Sequence, residues 1–98
     1  MTKETGCITN ECKCNLFPRI KRIIGQLEGV ERMIQEERYC VDILQQISSI
    51  HEALRGLGKE IMRNYLEQCA TKAILSRNKQ KQKEIYDEVM DVVYKYTK

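Results

Sequence analysis

The chain has 98 residues, of which 42% are hydrophobic and 32% are charged, and its net charge is +3. A chain of this length forms at most one small domain with a marginal core, so we expect oligomerisation to bury further surface. One proline, one phenylalanine and no tryptophan favour long amphipathic helices over a turn-rich β-sandwich, and the predicted fold class is all-α. No signal sequence is recognisable and no apolar run approaches the roughly 18 residues of a membrane span, so we expect a cytoplasmic protein without a membrane partner.

The composition also restricts the chemistry. Five cysteines occur, and in the reducing cytosol they indicate metal binding or thiol chemistry better than structural disulfides. Because the net charge is small, any binding of nucleic acid must depend on local clusters of basic residues.

Residues 1–15 have no apolar period and are predicted to form a flexible arm, followed by one helical domain at 16–98. The arm carries three cysteines in a C-x4-C-x-C pattern, which is not a standard zinc spacing: Cys7, Cys12 and Cys14. The first helix is predicted to begin between residues 15 and 18, because proline is well tolerated in a first turn.

Apolar residues then recur at steps of three and four and form the buried stripe of this first helix: Ile20, Ile23, Leu27, Val30 and Ile34. Gly25 and Gly29 each cost a helix about 1 kcal/mol relative to alanine. We therefore expect them to permit the close approach of another helix.

A longer helix is predicted over residues 39–75. Its stripe alternates steps of four and three, as in a seam for a partner helix: Ile43, Ile47, Ile50, Leu54, Leu57, Ile61 and Tyr65. Gly56 and Gly58 locally weaken this helix, and a break there would instead produce two shorter helices. After a turn at 76–82, a third amphipathic helix is predicted over 83–96.

Cys40 and Cys69 are separated by 29 residues. In an ideal α-helix this separation places them within about 20° of one azimuth but roughly 43 Å apart, so they share a face and cannot touch. If two copies pack antiparallel, Cys40 of one chain lies level with Cys69 of the partner subunit, and the two-fold axis generates two identical pairs. The spacing is equally compatible with two small buried hydrophobic side chains, a common role of free cysteine.

The segment RIKRIIGQLEGVERMIQEERYCVDILQQISSI, followed by YLEQCATKAI, resembles the CsoR/RcnR family of bacterial transcriptional repressors. The resemblance covers about residues 19–93 and includes G-Q-x-x-G-V-x-R-M-I, R-Y-C-V-D and Q-I-S. It implies a three-helix protomer with a long central helix, and an antiparallel homodimer that assembles into a disc-like homotetramer. It also implies that an effector at an intersubunit site weakens binding to operator DNA and derepresses an adjacent operon.

The copper-sensing members of this family bind Cu(I) with a cysteine at the Cys40 position and with an H-x-x-x-C pair on the opposing chain, a ligand set that suits Cu(I). Here the corresponding pair begins with Tyr65 and ends with Cys69, so the histidine is absent. A phenol with a reference pKa of about 10 is a poor Cu(I) ligand. His51, the single histidine, lies about four turns earlier and cannot replace it.

A dithiol without imidazole resembles the CstR-like branch, in which two cysteines sense reactive sulfur species by forming di-, tri- or tetrasulfide links between subunits. One thiolate attacks an electrophilic sulfane sulfur, and the facing thiolate resolves the persulfide into a bridge. Cys40, near a helix N-terminus that stabilises a thiolate, is expected to attack, and Cys69 to resolve. The predicted function is a persulfide- or polysulfide-sensing repressor, without a cofactor, that is derepressed by the Cys40–Cys69 crosslink.

The alternative is a Cu(I)-sensing repressor in which Cys40 and Cys69 are joined by a third thiolate from Cys12 or Cys14. Some family members recruit a ligand from the N-terminal arm, which motivates this alternative. The arm thiols are also compatible with a role as additional sulfur acceptors, or with no role in sensing.

Three further residues match positions around the effector site of the family: Tyr39, Tyr65 and Glu88. The resemblance implies that they form hydrogen bonds around the site. For the two tyrosines, packing alone would be a sufficient explanation.

Five basic residues are candidates for contacts with DNA: Arg19, Lys21, Arg22, Arg55 and Lys59. Arg19 and Arg22 are three residues apart and share a helix face. The resemblance implies a DNA-contacting arginine at the Arg19 position, whereas the second such arginine of the family falls at Gly56, next to Arg55. Each charge is also compatible with a solvated surface. A tetramer repeats these charges fourfold, which suffices for salt-dependent binding.

A thiol-rich metal carrier or a small redox enzyme is the competing class. The sequence contains no C-x-x-C motif, no acid/base pair and no phosphate-binding loop. We therefore predict that the chain is not an enzyme.

Overall fold

The computed structural model describes residues 8–96, and all regular structure in that range is helical. The elements are α1 (Asn10–Gln35), α2 (Cys40–Tyr65), a π-helical turn (Leu66–Ala70), α3 (Thr71–Leu75) and α4 (Lys79–Tyr96). Because α2, the π-helical turn and α3 follow one another without a break, they form the long central helix predicted over 39–75. The all-α protomer with three helical segments is confirmed, and the dimer and tetramer stay predictions.

The first helix begins at Asn10, so its predicted start between residues 15 and 18 was wrong. Thr9 caps the helix, since its hydroxyl oxygen accepts a hydrogen bond of 3.1 Å from the backbone N–H of Cys12. Pro18 lies inside the helix, where it cannot donate to the carbonyl four residues earlier. Proline thus marked neither the first turn nor the end of the arm.

The third helix also begins earlier than predicted, at Lys79 instead of residue 83. The side-chain oxygen of Asn78 accepts a hydrogen bond of 3.1 Å from the backbone N–H of Lys81 and so caps the new helix. Arg77, just before the cap, has a φ of 66°, in the left-handed region that reverses the chain. The basic stretch interpreted as a turn is therefore mostly the first turn of α4.

The chain divides into two compact units, an N-terminal unit of Thr9–Ile61 and a C-terminal unit of residues 62–96 together with Ile8. In the N-terminal unit, Arg19 in the first half of α1 lies beside Glu60 near the end of α2, with Nη2 3.9 Å from Oε1. The two helices are therefore antiparallel. In the C-terminal unit α4 packs against α3 and the π-helical turn. There Nε2 of Gln82 donates a hydrogen bond of 2.6 Å to the carbonyl of Ile74.

The apolar core of the described chain is small. Four hydrophobic residues are buried: Leu16, Ile23, Ile50 and Ala70. Several members of the predicted stripes stay exposed instead, with these exposed fractions: Leu27 53%, Ile34 58%, Leu54 47% and Ile61 40%. Such apolar surface fits the expected oligomer, in which a second copy would cover it. Within residues 8–96, none of the helices combines the length and apolar character that crossing a membrane requires.

Candidate sensor site and nucleic-acid interface

Cys40 is the first residue of α2, and its side chain is an exposed free thiol. Cys40 lies in the first turn of α2, where backbone N–H groups have no helical partners. The adjacent Tyr39 is 70% exposed, so packing within the described chain does not account for this tyrosine. Cys40 therefore has the access that a nucleophile needs.

Cys69 lies in the π-helical turn and is half-buried. It is disulfide-bonded, whereas Cys12, Cys14 and Cys40 are free. The carbonyl of Leu66 accepts both the backbone N–H and, at 2.8 Å, the hydroxyl of Thr71, a five-residue spacing typical of a π-helix. Because this turn is wider than an α-helical turn, the ideal-helix azimuth does not hold beyond Tyr65. The pairing of Cys40 with Cys69 concerns two subunits and stays a prediction.

The phenol of Tyr65, at the position where the resemblance implies a histidine in copper-sensing members of the family, is already engaged. Its hydroxyl donates a hydrogen bond of 2.7 Å to Oε1 of Glu88. Burial of the phenol, together with the hydrogen bond and the negative charge of Glu88, raises the pKa of Tyr65 above its ordinary value. The phenol therefore stays protonated at neutral pH, which makes it still less suitable as a ligand for Cu(I). The structure thus brings together two of the three residues expected around the site.

Two cysteines of the predicted arm lie inside the first helix. Cys12 and Cys14 lie in the first turns of α1, and side chains two residues apart on a helix do not face each other. Only one of them can therefore point toward any single site. Cys7 lies outside the described residues. Within residues 8–96, no group of three or more potential ligands could hold a metal ion, so a Cu(I) site needs a second subunit or residues outside this range.

Arg19 is the best defined of the DNA-contact candidates. Its Nη2 lies 3.9 Å from Oε1 of Glu60, and the side chain is 45% exposed. A Cβ added at Gly56 would lie 3.2 Å from Nη1 of Arg19. Gly56, where the resemblance implies the second DNA-contacting arginine, therefore makes room for the arginine of α1. Sequence analysis did not select Glu60, because a contact between helices leaves no periodic signal in either of them.

The other basic candidates are exposed. Lys21, Arg22 and Lys59 are solvent-accessible, and Arg55 lies 4.0 Å from Glu52 in an exposed ion pair of the kind that contributes little to stability. Sequence analysis also missed two arginines that lie near Arg22 around one groove: Arg32 and Arg38. The steps of three and four residues along α1 could have indicated that one helix face carries Arg22, Gly25, Gly29 and Arg32. No sequence pattern indicated that Arg38, which follows the helix, lies near the same face.

A family profile and a solved structure both match this chain over most of its length. The profile of the family described as "Metal-sensitive transcriptional repressor" matches residues 13–95. The crystal structure of the copper-sensing repressor CsoR with Cu(I) from Geobacillus thermodenitrificans superposes with a TM-score of 0.78 and 37% identity. That match covers 100% of this chain and 95% of the other.

Two curated relatives are similar in sequence. The copper-sensing transcriptional repressor CsoR of Bacillus subtilis is 35% identical over 97 residues, which is 99% of this chain and 85% of the relative. The copper-sensing transcriptional repressor RicR of Mycobacterium tuberculosis is 40% identical over 62 residues. The latter match covers 63% of this chain and 65%, just under two thirds, of the relative.

Proposed function

Because the chain belongs to the metal-sensitive transcriptional repressor family, we propose that it binds operator DNA and blocks transcription until an effector reaches Cys40 and Cys69. The family consists of transcriptional repressors, so the prediction that the chain is not an enzyme is confirmed. The proposed effectors are reactive sulfur species, persulfides and polysulfides, and the proposed working unit is a homotetramer in the cytoplasm.

One observation carries the sulfur assignment. At Tyr65, where the resemblance implies the histidine of the copper-sensing site, the hydroxyl donates a hydrogen bond of 2.7 Å to Glu88, and burial together with Glu88 raises the pKa of the phenol. This phenol does not replace an imidazole. What remains of the ligand set is a pair of cysteines, Cys40 and Cys69, which is suited to sulfur exchange once Cys69 is reduced to a thiol.

The proposed reaction proceeds in two displacements. The thiolate of Cys40 attacks a sulfane sulfur of the polysulfide, so that a persulfide forms on Cys40 and the shortened sulfur chain leaves. The thiolate of Cys69 of the partner subunit then attacks the γ-sulfur of Cys40 and expels hydrosulfide. Two thiols are thereby oxidised to a disulfide between subunits, and one sulfane sulfur is reduced to hydrosulfide.

The bridge ties the start of α2 in one subunit to the π-helical turn in the other. We propose that this link repositions the helices that carry Arg19 and its neighbours, which lowers the affinity for the operator. Lys21, Arg22, Arg55 and Lys59 are proposed as further contacts with DNA.

Polysulfide treatment of the fully reduced protein tests the sulfur assignment, since Cys69 must first be a thiol. We expect a shift from monomer to covalent dimer on non-reducing gels, which a reductant reverses, together with linked Cys40–Cys69 peptides in mass spectra and loss of binding to the DNA upstream of the gene. Cys40→Ser and Cys69→Ser should remove the link, whereas Cys14→Ser, which alters an exposed free thiol, should not. Absence of any Cys40–Cys69 peptide would contradict the assignment.

Cu(I) is the second candidate effector, favoured by the copper-sensing names of the relatives. Two thiolates from Cys40 and Cys69 fit Cu(I), a soft cation, and Cys12 or Cys14 would have to complete a trigonal set in place of Tyr65. Cu(I) titration against a competing chelator compares the wild type with the Cys12→Ser and Cys14→Ser variants. Copper sensing requires tight binding that one of these substitutions weakens, together with release of DNA by Cu(I).

A further inference from the structure

A shallow open groove with a volume of about 420 Å³ lies on the N-terminal unit. One face of α1 forms most of it, and the segment before α2 contributes Arg38. Arg22, Arg32 and Arg38 line it, and Gly25 and Gly29 lie between Arg22 and Arg32 along α1. All of these residues belong to the same compact unit.

The groove is strongly basic. Three arginines face one lining carboxylate, Glu36, whose Oε1 lies 3.9 Å from Nη1 of Arg38. That pair is exposed, with 52% of the arginine side chain and 61% of the glutamate side chain accessible, so solvent screens it. Within the described part of the chain, neither Arg22 nor Arg32 forms an ion pair. Their guanidinium donors are therefore available to an anion.

The two glycines leave the helix backbone uncovered. A Cβ at Gly25 would meet no atom within 4 Å, and one at Gly29 would meet only Nη2 of Arg32, at 3.8 Å. The sequence predicts that these glycines admit another helix, but no helix of the described chain lies that close to Gly25. Glycine is unfavourable inside a helix, and here it leaves room for something that comes from outside the protomer.

We propose that this groove binds a phosphate of the DNA backbone, seated over Gly25 and Gly29 and held by Arg22, Arg32 and Arg38. The inference rests on the proposed function as a repressor and adds two arginines and two glycines to its DNA surface. Planar guanidinium groups match the oxygens of a phosphate in pairs of parallel hydrogen bonds.

Two other occupants fit the groove less well. A small anionic ligand is usually enclosed by its pocket, whereas this groove is open along its length and suits a polymer that passes across it. A helix from a second copy would bury three guanidinium groups and would itself have to supply the carboxylates that pair them, because the groove provides only Glu36.

The salt dependence of DNA binding tests the proposal. Arg32→Gln and Arg38→Gln are compared with Arg63→Gln, which removes an exposed arginine of the C-terminal unit. Affinity for the DNA upstream of the gene is measured by fluorescence anisotropy between about 50 and 200 mM salt, where each lost phosphate contact makes the slope of log K against log salt shallower by about 0.9. We expect shallower slopes for the two groove variants and the wild-type slope for Arg63→Gln.

Gly25→Ala tests whether the phosphate lies over the backbone at Gly25. Gly58→Ala is the matched control, because a Cβ at either glycine meets no atom within 4 Å. We expect only Gly25→Ala to weaken DNA binding, with unchanged helix content and sedimentation. A change in oligomeric state with Gly25→Ala would assign the groove to a second copy and overturn the proposal.

Wild-type slopes in Arg32→Gln and Arg38→Gln would also overturn the proposal. If inorganic phosphate at constant ionic strength then raised the Tm of the wild type but not of Arg32→Gln, the occupant would be a free anion instead of DNA. A wild-type protein that binds no DNA at any salt concentration would refute the proposed function itself, a result distinct from equal slopes.

Discussion

The arginines of the N-terminal unit and the Tyr65–Glu88 pair of the C-terminal unit satisfy their polar groups in different ways. In the N-terminal unit the arginines point to solvent, and their ion pairs are long, 3.9 Å for Arg19 with Glu60 and 4.0 Å for Arg55 with Glu52. In the C-terminal unit the hydroxyl of Tyr65 is half-buried and donates to Glu88 at 2.7 Å. Charge that stays solvated is available to a partner, whereas charge satisfied internally stabilises its own unit. We propose that the exposed arginines of the N-terminal unit contact DNA and that the Tyr65–Glu88 pair defines the part of the sensor site that lies in the C-terminal unit, whereas Cys40 belongs to the N-terminal unit.

Two kinds of variant should therefore affect different properties of the protein. Changes around Arg19 should alter DNA binding with little effect on the effector site, and changes at Tyr65 should do the reverse. The comparison fails if either kind of change affects both properties equally.

The largest effect is expected from Ile50→Ala. Ile50 is only 4% exposed and is one of few buried apolar residues, so its truncation should lower the free energy of unfolding by about 2–5 kcal/mol. Urea unfolding at a fixed protein concentration measures this, because stability of an oligomer depends on concentration. Leu75→Ala, at a side chain that is 74% exposed, is the control. Equal losses in both variants would show that the two sites are buried alike, for example in the oligomer.

Tyr65→Phe should have an intermediate effect. It leaves the carboxylate of Glu88 without the hydroxyl that donates to it at 2.7 Å. For a half-buried pair we expect the free energy of unfolding to fall by about 1–2 kcal/mol. Because the pKa of the phenol is raised in the folded state, the advantage of wild type over Tyr65→Phe should be constant at neutral pH. It should shrink as the pH rises above the unfolded value of about 10, where the unfolded chain releases its proton first.

Denaturant titrations of both proteins at several pH values check this prediction, with Tyr86→Phe as the control because Tyr86 is 53% exposed. DNA affinity of Tyr65→Phe in the absence of effector should match that of the wild type. An advantage that grows with pH would contradict the hydrogen bond to Glu88.

Gly56→Ala should have the smallest effect on stability and a selective effect on DNA binding. Alanine favours a helix over glycine by about 1 kcal/mol, a gain that Gly58→Ala shares because a Cβ at Gly58 meets no atom within 4 Å. At Gly56 the new Cβ would lie 3.2 Å from Nη1 of Arg19 and would displace this flexible guanidinium. Thermal unfolding and anisotropy with operator DNA measure the two effects. Equal DNA affinities of the two variants would show that the space at Gly56 does not affect DNA binding through Arg19.

Much of the fold followed from local signals. The steps of three and four between Ile43 and Tyr65 predicted the central helix, and the structure has it as an unbroken helical run over 40–75. The start of α1 was predicted wrongly because Pro18 was interpreted as a first-turn residue. The helix instead begins at Asn10, where the side chain of Thr9 caps it. The π-helical turn at Cys69 was missed as well, because the bond from the Thr71 hydroxyl to the carbonyl of Leu66 has no counterpart in apolar periodicity.

The sequence by itself determined the helical class, the length of the central helix and the positions of Cys40 and Cys69 toward its two ends, because these depend on residue type and on spacing along one chain. That Tyr65 replaces the histidine of the copper-sensing site stays a prediction from the resemblance. Only the tertiary structure decided that this tyrosine donates to Glu88, that Gly56 makes room for Arg19, and that Arg38 joins the arginines of α1 around one groove. Each of these depends on side chains from different helical segments, and such distances are set by packing and not by the period of either segment.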